Sequence, residues 1–139
     1  MKYIIKSFVI IVFVAFATKS NAQVMAQKAQ WITIKSANLK CWVCKYKLED
    51  YLMKESIVSY ESGIAQLKFN LLQGEVRVQY YPDRITPEDI KLIMNNAGFD
   101  ADTEKANPDS YKKLPPQCKY ATEGGGPQKG KPCHTEPQE

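Results

Sequence analysis

The apolar period of this chain changes from two to 3.6 at a pair of cysteines, and that break constrains the fold more than any other feature. Residues 30–36 alternate, with Ile32 and Ile34 on one face and Thr33 and Lys35 on the other, the mark of a strand. Residues 37–40 form the loop that carries the chain to Cys41-Trp42-Val43-Cys44. Beyond Cys44, Leu48, Tyr51, Leu52 and Glu55 fall on helical spacing, and Lys45, Lys47, Glu49, Asp50 and Lys54 lie mostly outside that stripe. The pattern predicts an amphipathic helix starting near Trp42, with Ile57, Val58 and Tyr60 as an extension and Ser62-Gly63 as a stop.

The pattern returns to two further on. Leu67, Phe69 and Leu71 alternate with Lys68 and Asn70, and Val76, Val78 and Tyr80 alternate with Arg77 and Gln79. The Gly74-containing turn between them makes a β-hairpin, ended by Pro82-Asp83 because proline has no N–H for the ladder. A second helix starts where Thr86 caps, Pro87 takes the first position and Asp89 sits three residues past the cap. Ile90, Ile93, Met94 and Ala97 form its apolar stripe and Gly98 its stop. Residues 99–102 are then expected to add an edge strand. The resulting β-α-β-β-α-β order predicts an α+β, ferredoxin-like fold, with two helices on one face of a four-stranded antiparallel sheet. The core set is Ile32, Ile34, Leu48, Leu52, Leu67, Phe69, Val76, Val78, Ile90, Ile93 and Met94.

The ends of the chain have a different character. Lys2 and Lys6, an unbroken apolar run over residues 8–16 and the small residues Ser20 and Ala22 make the three-part pattern of a secretory signal peptide, cleaved after Ala22. The run is far short of the ~20 residues that span a bilayer, so stable membrane insertion is not expected. Removing the first 22 of 139 residues leaves 117, one small domain and a tail. Lys2, Lys6 and Lys19 take three of the four net positive charges with them, leaving +1 and no basic patch for nucleic acid. The expected division is signal peptide 1–22, linker 23–29, domain 30–103 and extension 104–139. In the extension, Asn107-Pro108-Asp109 is expected to start one helical turn through Tyr111 and Leu114, stopped by Pro115-Pro116. Residues 119–139, with Gly124-Gly125-Gly126 and scattered prolines, read as mostly disordered. Tyr80, Tyr81, Lys112 and Lys113 suggest no more than a solvated surface and a sheet edge.

Export would put four cysteines where disulfides persist. Cys41 and Cys44 at a helix start see backbone N–H groups and the positive end of the helix dipole, which favour thiolate, with Lys40, Lys45 and Lys47 adding charge nearby. Thiolate sulfur suits soft ions such as Cu(I). Two ligands leave an ion under-coordinated and so transferable, whereas structural zinc normally takes four, which ranks Zn(II) lower. Three readings of the pair follow: a metal site, a redox pair with Cys41 as nucleophile and Cys44 as resolving thiol, and a structural disulfide. Glycine-proline is missing between the cysteines and the strand order is wrong for a thioredoxin. Cys118, Cys133 and His134 admit a Cys118–Cys133 disulfide, an accessory metal site or free thiols, and a mobile tail would let them visit Cys41 and Cys44. Trp42 and Phe99 read either as a shield over a metal or as ordinary half-buried aromatics. Met94 reads as core.

Residues 31–102 resemble the heavy-metal-associated domain family, which includes copper chaperones, the metal-binding modules of heavy-metal ATPases and a periplasmic mercuric-ion-binding protein. The family's glycine-methionine-threonine-cysteine-x-x-cysteine loop aligns with residues 38–44, and its glycine–aromatic pair after the second helix with Gly98-Phe99. Asn38 stands where the family has glycine, Leu39 where it has methionine, and the span from Cys44 to Gly63 is longer. The resemblance implies that Cys41 and Cys44 bind one soft ion, Cu(I) or Hg(II) most commonly. It implies a non-enzymatic, exported (periplasmic or extracellular) metallochaperone or scavenger that passes its ion to a membrane transporter or ATPase, or keeps it.

Overall fold

The computed structural model describes residues 28–58 and 63–136, with the side chains of residues 55–58 left aside. The expected signal peptide, most of the linker, Tyr60 of the expected helix extension and Ser62 of its stop lie outside the described residues. Within them the order is β1 (Gln30–Lys35), α1 (Trp42–Val58), β2 (Ile64–Asn70), β3 (Glu75–Tyr80), α2 (Pro87–Asn96) and α3 (Pro108–Lys112), followed by 3-10 turns at Pro116–Cys118 and Ala121–Glu123. No helix among the described residues is long and apolar enough to cross a membrane.

The three strands form one antiparallel sheet in the order β1-β3-β2. Register stacks the apolar positions in rows: Ile32, Val78 and Leu67 in one, Ile34, Val76 and Phe69 in the next. This shared inner face meets Leu48 and Leu52 of α1 and Ile90 and Met94 of α2, and all eleven expected core residues lie in this cluster or against it. The outer face carries Trp31, with Lys68 Nζ 5.1 Å and the Arg77 guanidinium 5.3 Å from its ring. The start of α2 is as expected: Thr86 Oγ1 accepts from the Asp89 N–H at 3.2 Å, and Asp89 Oδ2 accepts from the Thr86 N–H at 3.1 Å. Asp89 is held below the usual carboxylate range by its hydrogen bonds from Thr86, the side-chain bond foremost.

Two expectations about the sheet are corrected. The fourth strand is not formed among the described residues. Ala101 and Glu104 instead bond each other across a tight turn, and Asp102 takes a positive φ of 56°, which ends any extended run. Asp102 still reaches the free edge of β1: its N–H donates to the Lys35 carbonyl and its carboxylate accepts from the Lys35 N–H at 3.0 Å. Side-chain capping thus replaces strand pairing there, and Lys91, 3.1 Å from Asp102, is raised above the usual lysine range chiefly by that hydrogen bond. Tyr80 is also not a surface residue. It is buried on the central strand, next to Ile64 in register.

The larger correction concerns the tail, which is ordered against the domain through Glu136 rather than disordered. The reason is a set of polar ties that composition does not reveal. Gly98, at φ 93°, ends α2 and lies so close to the backbone of Ser110 and Tyr111 that an added Cβ would sit 3.0 Å from it. Asp100 is buried, and its carboxylate accepts from the Ala106 N–H at 3.0 Å, the Tyr120 hydroxyl at 2.7 Å and Lys105 Nζ at 3.2 Å. Tyr120 stacks on Tyr111 at 4.8 Å, and the Tyr111 hydroxyl accepts from the Tyr120 N–H while donating to Glu123. As expected, α3 starts at Asn107, whose side chain accepts from the Asp109 and Ser110 N–H groups.

Burial first, then the hydrogen bond to Asp100 and its charge, hold the Tyr120 phenol well above its ordinary value of 10.0. The docked tail therefore favours the neutral phenol. That contribution is complete below pH 10.0 and is lost as pH rises through the raised folded value. Tyr111 is raised in the same direction, by burial foremost. Denaturant titrations should therefore show steady stability from neutral pH to about pH 9 and a decline above about pH 10. Tyr120→Phe should cost about 1–2 kcal/mol at neutral pH and flatten part of that decline. An unaltered alkaline decline in Tyr120→Phe would show that this phenol does not hold the tail.

A candidate soft-metal site closed by the tail

The β1–α1 loop is built on a buried amide. Asn38 is 2% exposed, and all four of its side-chain hydrogen-bonding positions are used. Its Oδ1 accepts from the Ser36 hydroxyl at 3.0 Å and the Asp100 N–H at 3.1 Å, and its Nδ2 donates to the carbonyls of Gly98 at 3.0 Å and Cys118 at 3.2 Å. One side chain thus ties the loop to the end of α2 and to the tail. Leu39, beside it, is fully buried beneath the loop. The two neighbouring residues therefore have separate jobs here: Leu39 fills space and Asn38 makes the polar junction.

This loop delivers Cys41 to the cap of α1, where its carbonyl accepts from the Cys44 and Lys45 N–H groups. Cys44 follows within the first turn of α1. Cys41 is bonded to Cys133, with Cα atoms 4.6 Å apart, and Cys44 to Cys118, with Cα atoms 5.4 Å apart. Both alternatives that left the tail thiols to themselves are corrected. Cys118 and Cys133 are not joined to each other, and no cysteine is free among the described residues. The path of the tail decides this. The Pro116–Cys118 turn, held by Asn38, presents Cys118 to α1, and Cys133 reaches Cys41 while its carbonyl accepts from the Trp42 N–H. The imagined visit of the tail to the pair is thus a covalent one.

As bonded, none of these sulfurs is a thiolate, so none is a metal ligand. Among the described residues no three His, Cys, Asp or Glu side chains are grouped as a ready ion site. The nearby charge is also spoken for. Lys45 Nζ lies 3.9 Å over the Trp42 ring and 3.5 Å from Glu49, and Lys40 runs to the Gly74 turn. His134 lines a cleft of about 560 Å³ with Trp42, Lys45, Phe69 and Leu72. Trp42 is half-buried, whereas Phe99 and Met94 are fully buried core residues. Asn38, Asp100 and Tyr120 are the site-forming residues that motif reading passes over. Their one sequence signal is Asn38, a polar residue in the loop before the cysteine pair.

No protein-family model matches the chain, and no curated protein matches it. Among solved structures it is similar to oxidised MerP from Ralstonia metallidurans CH34, with a TM-score of 0.45 and 12% identity over 53% of this chain and 94% of that one. It is also similar to a copper-binding domain of HMA7, a P-type ATPase, with a TM-score of 0.45 and 27% identity over 54% of this chain and 92% of that one. A third likeness is to the CopZ metallochaperone, with a TM-score of 0.44 and 22% identity over 52% of this chain and 98% of that one. All three TM-scores lie below 0.5.

Asn38→Ala should leave the Asp100 N–H and two buried carbonyls short of a partner, lowering unfolding stability by about 2–4 kcal/mol in urea titrations. A loss under about 0.5 kcal/mol would show that the junction is not formed by this amide.

Proposed function

We propose that this chain is an exported soft-metal-ion-binding protein, a metallochaperone or scavenger, whose ligands are Cys41 and Cys44 after reduction. The observation that carries the reading is that the two sulfurs of the pair are not bonded to each other. Each holds a separate tail cysteine, so opening both bonds leaves two thiols side by side at the amino end of α1. There the positive end of the helix dipole favours thiolate, the ligand form. Cu(I) and Hg(II) are the ions this pair suits best, ahead of Zn(II). The role is binding rather than catalysis, with a membrane transporter or ATPase as the recipient of the ion. Cys118 and Cys133 then stand close enough to act as further ligands.

A second reading is favoured by the burial of one bond: Cys44 and Cys118 are both 0% exposed inside the apolar cluster. On that reading all four cysteines are structural and the domain carries no ion.

One experiment separates the two. The protein is reduced with dithiothreitol, freed of it anaerobically and titrated with Cu(I) against a chromophoric competitor. Reduced protein should take up one ion per chain, oxidised protein none, and reduced Cys41→Ser plus Cys44→Ser none while its circular dichroism stays native. Full uptake by the reduced double variant would defeat the assignment. Unfolding of the reduced wild-type protein without uptake would establish the structural reading.

A further inference from the structure

We propose that the Cys41–Cys133 bond is a thiol-exchange site, opened by a small thiol or dithiol through the cleft beside it while Cys44–Cys118 stays closed. The two bonds differ in surroundings. Cys44 and Cys118 are enclosed by the core, whereas Cys133 is half-buried at its edge. A cleft of about 300 Å³ opens onto the Cys41–Cys133 bond, walled by Trp42, Gln117, Pro132 and Thr135. That volume suits a small molecule. Cys44 and Cys118 line neither this cleft nor the one beside His134.

The two bonds also hold differently anchored stretches of chain. Around Cys118 the tail is fixed by the Asn38 amide, the Tyr120–Asp100 bond and the Tyr111–Tyr120 stack. Beyond Gly126, whose N–H donates to the Gln117 carbonyl, the hydrogen bonds of residues 127–132 are local: Lys131 to Gln128, and Gln128 back to Gly124. Residues 127–136 are therefore tied to the rest of the protein by the Cys133 sulfur, one backbone hydrogen bond from Trp42, the Gln128 side-chain bond to the Gly124 carbonyl and the seating of His134 beside Trp42 and Phe69. Loss of that sulfur link leaves little to hold the arm, so the segment opens locally without disturbing the core.

The chemistry balances with a dithiol as reductant. One thiolate of the dithiol attacks Cys133 Sγ; the bond to Cys41 breaks, and Cys41 leaves as a thiolate at the amino end of α1, where its charge is favoured. The second thiol of the dithiol then attacks the mixed disulfide. It releases Cys133 as a thiolate and closes the dithiol into a cyclic disulfide. Two electrons pass to the protein, and two protons from the dithiol end on Cys41 and Cys133. The inference goes beyond the metal-binding proposal and stands whether or not the sulfurs carry an ion.

The test uses the oxidised full chain, graded dithiothreitol under native conditions, acid quench, alkylation and peptide mapping. The first opened species should carry alkylated Cys133 in every molecule. Its partner label is Cys41, or Cys118 where the freed Cys41 has displaced it from Cys44. As a second reading, Cys44→Ser plus Cys118→Ser, which keeps only the outer bond, should be reduced about tenfold or more faster than Cys41→Ser plus Cys133→Ser, which keeps only the inner one. A first species labelled at Cys44 and Cys118 with Cys133 still bonded would overturn the proposal. So would equal reduction rates in two variants that both retain native circular dichroism.

Discussion

Two covalent links join the amino end of α1 to the tail. They span 92 and 74 residues of sequence. In the chain-entropy account, loops of that length each restrict the unfolded ensemble by about 4 kcal/mol, and by less than the sum together because the loops overlap. The links work because the Asn38 amide, the Gly98 turn and the buried Asp100 carboxylate bring residues 104–120 back across the end of α2. Sulfur chemistry and a small polar network thus depend on each other: the network aims Cys118 at Cys44, and the bonds hold the network against solvent.

The arrangement gives the cysteine pair two chemical states, bonded to the tail or reduced. Oxidised, the pair is a staple, since a sulfur in a disulfide lacks the charge that binds a soft cation. Under the proposed function, reduction would supply two thiols at a helix start, with two further thiols nearby. Redox poise would then decide whether the domain is closed or competent for an ion, and four electrons separate the extremes. The difference in exposure between Cys133 and Cys118 makes those electrons inequivalent.

Much of the domain was legible in its sequence because apolar period and turn chemistry are local. Ile32 to Ile34, Val76 to Val78 and the Ile90 to Met94 stripe announce their faces, and Thr86-Pro87 with Asp89 announces a helix start. The missing fourth strand was not legible: Ala101 and Asp102 suit an edge, but a positive φ and side-chain capping take them out of extended form. The tail was misread for a related reason. Glycines and prolines at 119–139 look solvated until long-range partners, Asp100 for Tyr120 and Cys41 for Cys133, are known. Four cysteines permit three pairings, and spacing alone cannot choose among them. Cys41 and Cys44 stood out as a motif; their bonding partners were a matter of tertiary path.

The crossed pairing is therefore the claim to test first, on protein isolated without reductant and with its free thiols blocked at once. Cleavage after Trp42 divides Cys41 from Cys44, so mass spectrometry of the unreduced digest can assign each bond. Peptides linking Cys41 to Cys133 and Cys44 to Cys118, with no blocked thiol, are the predicted result. Peptides linking Cys41 to Cys44 and Cys118 to Cys133 would contradict it.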